Sequence, residues 1–381
     1  MKVIKNVDII LPEKIIKDGA VLFDNKIKKI YKIDDNLESE VSKKEIEIID
    51  GESGYLAPGF IDIHVHGNHG KDAMDATMEA IDTISKNIVK SGVTQFLPTT
   101  MTMSEQNIKD ALENISTFKD KELTGAQILG VNVEGPFLNK EKKGAQPEEY
   151  ILDPNLDLLK NHVDIIKLVT VAPEKPGAKE FIKEMHKRGI VTSVGHSKAT
   201  YEDINEAYKW GLSHVTHLFN GMVGLHHRKP GIVGAALTTD MTVELIADLI
   251  HLSPVILDLV TKTKSVDEII LVTDAMRAAG LEDGEYSLGG QKVIVKGGEA
   301  RLETGSLAGS TLTLNRAVKN MYNSTDLELN SIIKMVTLNP AKLLGVENKK
   351  GKIENNYDAD LVLMNKNLEV QKVFIKGERK H

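Results

Sequence analysis

The feature that most constrains the fold is a series of eight apolar runs that alternate with helical stretches. The apolar runs span residues 59–67, 93–100, 126–135, 164–174, 189–197, 213–220, 242–251 and 268–276. Helical patterns occupy residues 78–91, 104–117, 176–188, 200–210, 254–264 and 311–322. A glycine-rich segment at 221–240 is less clearly helical. Eight strands that alternate with helices favour a closed (β/α)8 TIM-like barrel, an α/β fold, over the competing doubly wound open sheet.

The two chain ends have a different pattern, in which short strands alternate with turns. Residues 1–54 contain "MKVIKNVDIIL", "GAVLFDNKIKKIY" and "KEIEIID", and residues 346–381 have the same character. Neither segment alone offers enough apolar area to be stable. We therefore expect both ends to form one small β-sandwich beside a catalytic barrel of residues 55–345. Residues 284–301 are expected to form a hairpin inserted after the eighth strand.

Composition excludes several classes of function. The chain has 48 Lys and Arg against 55 Asp and Glu, and its net charge of -7 argues against a nucleic-acid partner. No apolar run approaches a membrane-spanning length, and the first residues lack the cleavage site of a secretory signal. The absence of cysteine excludes disulfides and cysteine metal sites, and it fits a reducing cytoplasm. Any metal must therefore be held by histidine and carboxylate.

The first barrel strand, "GFIDIHVHG", ends with two histidines where an apolar pattern should continue. Side chains alternate faces along a strand, so His64 and His66 share one face with Asp62. Two imidazoles that converge in this way can bind a metal ion. For an isolated pair of this kind, hydrogen-bonded histidines at a polar strand end are the more common explanation, so the rest of the chain must decide.

Polar side chains also end most of the other predicted strands. In a barrel, the carboxyl ends of the strands form one mouth, where catalytic groups lie. The strand ends carry His64, His66, Thr99, Glu134, His196, His217, Asn220, His251 and Asp274. We therefore expect His64, His66, Glu134, His196 and His217 to meet there and to hold one or two divalent metal ions. His214 differs in parity from His217, so we expect it to face the helices as a packed or hydrogen-bonded residue.

The residue types at the mouth indicate hydrolysis. A divalent ion held by histidine and carboxylate acidifies water and polarises a carbonyl. Glu134 has two oxygens and could bridge two ions. Asp274 is then available to move a proton between water and a leaving atom. The alternative role for Asp274 is to cap the segment that begins "AMRAAG".

These residues resemble a known family. The segments "PGFIDIHVHG" and "GKIENNYDADLVLMN" are similar to the metal-dependent amidohydrolase superfamily. More narrowly, "VNVEGPFLNKEKKGAQ", "SVGHSKAT", "HLFNGM", "HHRKPG", "LVTDAM" and "GSLAGSTLTL" resemble the N-acetylglucosamine-6-phosphate deacetylase family over nearly the whole chain. The resemblance implies hydrolysis of the acetamide of an amino sugar phosphate to acetate and glucosamine 6-phosphate. It also implies a cytoplasmic dimer, or a tetramer built from dimers.

The resemblance assigns a role to each matching residue. Glu134, His196 and His217 match the primary metal ligands, His64 and His66 match a second-metal pair that some members keep, and Asp274 matches the general acid-base group. The positions that match substrate contacts are Ala145, Gln146, Asn220, Gly221 and Leu307. Arg228 and His251 match phosphate-binding positions, and Arg228 is expected to reach the site of a neighbouring subunit. A guanidinium fork suits phosphate oxygens, which supports this assignment.

The sequence departs from its relatives at two positions. Gln146 stands where many members have a histidine expected to hydrogen-bond the substrate; an amide can donate but carries no charge. The metal-bridging lysine of dihydroorotases and hydantoinases also lacks a counterpart, because Lys167 lies early in the fourth strand.

Several alternatives stay open at this point. Another amide hydrolase or deaminase on this barrel would use the same ligands. A non-catalytic scaffold could share the fold, but the intact ligands and Asp274 speak against it. Zn, Fe, Mn and Co all accept such ligands, so the metal is not identified. Glucosamine and galactosamine epimers are not separable from the sequence.

Overall fold

The computed structural model describes residues 1–32, 46–118 and 121–381. Its strands, in chain order, are β1 Lys2–Ile10, β2 Ile15–Phe23, β3 Ile27–Tyr31, β4 Glu47–Pro58, β5 Phe60–Val65, β6 Gly67–Asn68, β7 Lys71–Asp72, β8 Val93–Thr100, β9 Gln127–Ile128, β10 Val131–Glu134, β11 Ile166–Val171, β12 Val191–Val194, β13 Leu212–Val215, β14 Thr242–Ile246, β15 Ile269–Val272, β16 Gly284–Leu288, β17 Gln291–Lys296, β18 Glu299–Leu302, β19 Leu361–Met364, β20 Val370–Ile375 and β21 Glu378–Arg379.

The helices are α1 Met78–Ile88, α2 Glu105–Ser116, α3 Ala178–Lys187, α4 Tyr201–Trp210, α5 Gly231–Thr238, α6 Pro254–Thr263, α7 Leu314–Ser324, α8 Leu329–Lys334 and α9 Leu338–Leu343. Single turns of 3-10 helix lie at Ala73–Asp75, Val89–Ser91, Lys140–Lys142, Glu148–Tyr150, Leu156–Leu158 and Val266–Glu268. Within the described ranges, no helix is long and apolar enough to cross a bilayer.

Eight parallel strands form the barrel, in the order β5, β8, β10, β11, β12, β13, β14 and β15. The ring closes between its last and first strands, where Val65 pairs with Ala275 and the amide of Asp274 donates to the carbonyl of His64 over 2.8 Å. Seven of these strands lie within one of the eight apolar runs, and β13 begins one residue before its run. The prediction of a closed barrel is therefore confirmed, and the open sheet is excluded.

The helices pack their apolar faces on the outside of the barrel. In α1, the hydroxyl of Thr77 caps the helix by accepting from the amide of Ala80, and Ile81, Ile84 and Ile88 are buried against the strands. Apolar residues at this spacing form one stripe of a helix, which drives its packing on the sheet. The glycine-rich segment does contain a helix, α5, and α8 and α9 add two short helices after α7 that the sequence pattern did not predict.

Strands from both chain ends join in one seven-stranded mixed sheet, in the order β21, β20, β19, β4, β1, β2 and β3. β1 runs parallel to β4, and β19 pairs antiparallel with the other edge of β4. Ile4, Phe23, Leu361 and Phe374 belong to one buried apolar cluster, so the two ends share a core. The expected union of the chain ends is confirmed.

The limits of this small domain, at residues 54 and 346, stay a prediction. β4 continues from the sheet to Pro58, which is next to the first barrel strand. The predicted strand at 44–50 begins outside the described residues, because the structure describes no residue between 33 and 45.

The predicted hairpin after the last barrel strand is a three-stranded antiparallel sheet of β16, β17 and β18. The third strand follows the turn at Gly297 and Gly298, whose φ angles of 59° and 83° suit glycine. Leu288, Val293 and Ala300 of this sheet are buried with apolar residues of the barrel mouth. The inserted sheet therefore lies over the carboxyl ends of the strands.

Candidate metal centre

Two groups of possible metal ligands meet at the barrel mouth, within the residues that the structure describes. The Glu134 group consists of Glu134, His196 and His217, and the Asp274 group consists of His64, His66 and Asp274. In each group the potential ligand atoms lie within 4.8 Å of one another, and every member is buried. The convergence predicted for five ligands is thus what the structure shows, although their assignment as ligands is a proposal made below.

One carboxylate joins the two groups. Oε1 of Glu134 lies 3.0 Å from Nε2 of His196 and 3.0 Å from Nε2 of His217. Its other oxygen, Oε2, lies 3.2 Å from Nε2 of His66. Across the Asp274 group, Oδ1 of Asp274 lies 3.6 Å from Nε2 of His64 and 3.3 Å from Nε2 of His66. Glu134 is therefore placed to bridge two ions.

Three of the four histidine rings are oriented by a bond at Nδ1, whereas Nδ1 of His217 has no hydrogen-bond partner among the described residues. Nδ1 of His196 lies 2.8 Å from the carbonyl oxygen of Lys142, and Nδ1 of His66 lies 3.2 Å from that of Thr99. Nδ1 of His64 lies 2.9 Å from the carboxylate of Glu244. An acceptor at Nδ1 fixes the hydrogen on that nitrogen and leaves the lone pair of Nε2 facing the site.

Three of the site residues have a backbone conformation that side chains usually avoid. The φ angle is 46° at His196, 29° at His217 and 48° at Asp274. Non-glycine residues rarely adopt positive φ, and such strain is concentrated at functional sites. Gly221 permits close approach here, because a Cβ at this position would lie 2.8 Å from Nδ1 of His196.

The electrostatics of the mouth favour a cation. Burial by itself raises the pKa of Glu134, but the surrounding imidazoles outweigh burial and hold that pKa well below its ordinary value. Burial likewise opposes a charged His66, yet Asp274 and Glu134 raise its pKa to about 10. Ionised carboxylates therefore face imidazoles that hold protons tightly, and a bound metal ion would take the place of those protons.

The donor set fits a divalent metal. Nε2 of His64 is buried and has no hydrogen-bond partner among the described residues. The Nε2 atoms of His196 and His217 lie only 3.1 Å apart beside the same oxygen of Glu134. Imidazole nitrogens and carboxylate oxygens in this arrangement are typical ligands of Zn, Fe, Mn and Co.

A cavity of about 370 Å³ opens above the ligands. The residues singled out in the sequence that line it are His66, Glu134, Ala145, Gln146, His196, His217, Asn220, Gly221, His251, Asp274 and Leu307. His64 is fully buried and does not line the cavity. Arg228 is exposed outside the cavity, where its Nη1 lies 2.6 Å from Nε2 of His227.

Gln146 has a different set of contacts from those expected. Its Nε2 donates to Oε2 of Glu134 over 2.7 Å, and its Oε1 accepts from the backbone amide of Thr102 over 2.8 Å. The amide therefore holds the proposed bridging carboxylate in place. An amide nitrogen has two hydrogens, so one remains for a substrate atom in the cavity.

The structure adds residues that the sequence reasoning missed. Arg301, Leu288 and Ser306 of the inserted sheet and its following loop line the cavity. Nε of Arg301 lies 2.8 Å from Glu299, and its Nη1 donates to the carbonyl of Gly305. The position of the predicted hairpin after strand eight was the available signal, because loops at that end of a barrel cover the site.

The prediction that His214 faces the helices is wrong. Its Nε2 lies 3.2 Å from Oε1 of Glu244, whose other oxygen contacts His64 inside the barrel. The parity argument fails because β13 ends at Val215 and the chain then turns at His217. The expectation that His214 is hydrogen-bonded does hold.

Comparison with known proteins places the chain in a family. Residues 55–380 match the model of the amidohydrolase family. The chain is 39% identical to the N-acetylglucosamine-6-phosphate deacetylase of Bacillus subtilis (strain 168), over 98% of this chain and 96% of that protein. It is 36% identical to the N-acetylgalactosamine-6-phosphate deacetylase of Escherichia coli O157:H7, over 91% and 93% of the two chains.

A solved structure agrees with the sequence comparison. The N-acetylglucosamine-6-phosphate deacetylase of Thermotoga maritima superposes with a TM-score of 0.90 at 37% identity, and the match covers 100% of this chain and 99% of that one. The fold and the buried ligand groups define a metal-dependent hydrolase. The chain belongs to the amidohydrolase family, and its resemblance to N-acetylglucosamine-6-phosphate deacetylases is confirmed.

Proposed function

We propose that this chain hydrolyses the acetamide of N-acetylglucosamine 6-phosphate to acetate and glucosamine 6-phosphate. The observation that carries the proposal is the convergence of the Glu134 group and the Asp274 group at one cavity, in a chain 39% identical to a deacetylase. We assign Glu134, His196 and His217 to one ion and His64 and His66 to a second. When bound, such ions polarise an acyl carbonyl and lower the pKa of water.

Asp274 is the proposed general base and acid. Its carboxylate is ionised, because the positive charge on His64 and His66 outweighs burial and lowers its pKa. It takes a proton from the attacking water and gives that proton to the amine nitrogen as the C–N bond breaks. The charge balances, since the water supplies hydroxide to the acyl carbon and a proton to the leaving amine.

The sugar phosphate is proposed to lie across the rest of the cavity. Gln146 donates its second amide hydrogen to the acyl oxygen, while Ala145, Asn220, Gly221 and Leu307 contact the sugar. His251 is held for the phosphate by a 2.7 Å bond between its Nδ1 and Asp248.

Arg228 is proposed to bind the phosphate of a neighbouring subunit in a cytoplasmic homodimer. Its exposure outside the cavity of its own chain supports this, because the guanidinium is accessible to another copy. Co-expression of the Asp274→Asn and Arg228→Ala chains tests it. Hybrid dimers contain one site with both Asp274 and the partner's Arg228 intact, so activity should return; no recovery would place Arg228 outside the neighbouring site.

The direct test is acetate release from N-acetylglucosamine 6-phosphate, with metal quantified per chain. The unphosphorylated sugar is the matched control and should react far more slowly. N-Acetylgalactosamine 6-phosphate belongs in the same assay, because one relative is named for it. Turnover of cyclic amides in place of both sugar phosphates would indicate another amide hydrolase, and a chain that holds no metal and turns over nothing would be a scaffold.

A further inference from the structure

Glu244 is a fully buried carboxylate that the sequence reasoning did not single out. It lies in β14, within the apolar run of the seventh barrel strand, and its side chain is 0% exposed. It does not line the cavity, so it cannot touch a substrate there. A buried carboxylate is costly unless its oxygens are fully hydrogen-bonded. The hydrogen-bond partners of Glu244 therefore indicate what this buried carboxylate does.

Both oxygens of Glu244 contact histidines in or beside the Glu134 group and the Asp274 group. Oε2 lies 2.9 Å from Nδ1 of His64 and 3.0 Å from the backbone amide of His217. Oε1 lies 3.2 Å from Nε2 of His214. One oxygen thus contacts a member of the Asp274 group and a member of the Glu134 group.

The bond to His64 determines which nitrogen of the imidazole ring faces the proposed metal site. Oε2 of Glu244 accepts from the backbone amide of His217, which can only donate, so this oxygen acts as an acceptor for Nδ1 of His64 as well. Nδ1 of His64 then carries the hydrogen of this bond, and Nε2, which lies 3.6 Å from Oδ1 of Asp274, is the nitrogen available to a metal ion. That Nε2 atom is buried and has no hydrogen-bond partner among the described residues.

The bond to His217 acts on the backbone. His217 has a φ angle of 29°, and its amide hydrogen is bound by Glu244 rather than by a neighbouring strand. A charged acceptor is stronger than a neutral one, which helps to hold this uncommon conformation.

We propose that Glu244 is a positioning residue for the proposed metal centre, and that its hydrogen bond to Nδ1 of His64 selectively strengthens binding of the ion held through His64. The inference rests on the proposed role of the two groups as metal ligands. An amide in place of the carboxylate keeps one oxygen for His217 but is a weaker acceptor for His64. Its nitrogen also puts a donor opposite Nε2 of His214, so the bonds cannot all be kept in their present form.

The experiment is competitive metal titration of the full chain and of Glu244→Gln with a chelating indicator. The expected result is two ions per wild-type chain and a loss of about 10- to 100-fold in affinity for one of them in the variant, as for other residues that orient ligands. The other ion should be affected much less. The double variant Glu244→Gln, His64→Gln should show no further loss at the weakened site beyond that of His64→Gln.

His214→Gln is the matched control, because it changes the third partner of Glu244 without altering a proposed metal ligand. Both metal affinities of this control should differ clearly from those of Glu244→Gln. If Glu244→Gln does not fold, Glu244→Asp keeps the charge but withdraws it from His64 and should show the same selective loss. Unchanged affinities, or equal loss of both ions, would overturn the inference. A wild-type chain that binds no metal would instead overturn the proposed function.

Discussion

The mouth of the barrel and the junction between the barrel and the end sheet both bury charged groups, but they compensate them differently. At the junction, Nζ of Lys350 lies 3.0 Å from Asp358 and 2.7 Å from Asp360, and Lys26 lies 2.7 Å from Asp358. Those carboxylates meet permanent cations of the same chain. At the mouth, the carboxylates of the two ion groups face imidazoles, which are cations only when protonated.

The difference separates a structural cluster from a functional one. The charge of a carboxylate paired with lysine is compensated as soon as the chain folds. Such an ion pair therefore contributes to the free energy of unfolding. Carboxylates and imidazoles that share a small volume retain affinity for an exchangeable cation. Substitutions at the junction should therefore alter the free energy of unfolding, whereas those at the mouth should alter turnover and metal binding.

Among the substitutions, the largest expected effect is on turnover in Asp274→Asn. The amide cannot accept the proton of water, so kcat should fall by about 10²- to 10⁴-fold while the ions are retained. Acetate release and metal content per chain measure the two quantities. Asp358→Asn is the matched control from the junction, and it should keep kcat while lowering the midpoint of thermal unfolding. A near-normal rate in Asp274→Asn would remove Asp274 from its proposed role.

Lys350→Met should lower the free energy of unfolding by about 3 kcal/mol, because it leaves two poorly solvated carboxylates without their shared cation. Denaturant unfolding measures this, with metal present in both samples. Lys352→Met, which alters a more exposed neighbouring lysine, should change stability by less than about 1 kcal/mol. Similar losses of unfolding free energy in both variants would show that Lys350 contributes no more to stability than an exposed lysine.

The effect of Lys350→Met should depend on pH. Burial raises the pKa of Asp358, but Lys26 and Lys350 outweigh it and lower that pKa, so the contribution of Asp358 is present at neutral pH and is lost as pH falls through its folded-state value. The pKa of Lys350 is raised above 10.5, because the two carboxylates outweigh its burial, so its charge persists at neutral pH. The difference between wild type and variant should shrink below about pH 4. A constant difference down to pH 3 would contradict this pairing.

Removal of metal should abolish turnover and lower stability moderately. A ligand present at 100 times its dissociation constant stabilises the folded chain by about 2.7 kcal/mol. Thermal unfolding before and after chelation measures the loss, and addition of a divalent ion should reverse it. Chelation should lower the stability of Lys350→Met by the same amount, because the junction and the barrel mouth are separate clusters. A chelated chain with unchanged stability and rate would show that no ion occupies the mouth.

The smallest expected effect comes from the inserted sheet. Arg301 lines the cavity but is partly neutralised by Glu299, so Arg301→Ala should raise KM by about tenfold, or about 1.4 kcal/mol, with kcat little changed. Lys292→Ala is the control, since this lysine pairs with Glu285 on the same sheet and does not line the cavity. Equal effects of the two variants would indicate general electrostatic attraction.

Much of the fold could be predicted, because buried parallel strands give continuous apolar runs in the sequence. The run at 268–276, which contains β15, is an example. The positions of His64, Glu134 and Asp274 followed from the same runs, since the strand ends of a barrel meet at one mouth. The two short helices after α7 were missed, because their sequences contain Asn330, Asn339 and Pro340 and give no regular helical stripe.

The supporting contacts of the site could not be predicted in the same way. Glu244 interrupts an apolar strand, and a charge in such a run signals a buried partner but does not name it. Its contact with His64 joins residues 180 positions apart, and the turn at His217 reverses the parity on which the orientation of His214 was judged. Both depend on the closure of the barrel rather than on local sequence.

The end sheet has a consequence for how the protein is made. β4 pairs with β1 on one side and with β19 on the other, and roughly 300 residues of chain separate β4 from β19. A ribosome needs about 15–60 s to synthesise that length at ordinary rates, so one edge of β4 stays unpaired on the nascent chain throughout that time. Unpaired edges recruit other strands. A translational pause late in the message should therefore increase both aggregation and the demand for chaperones.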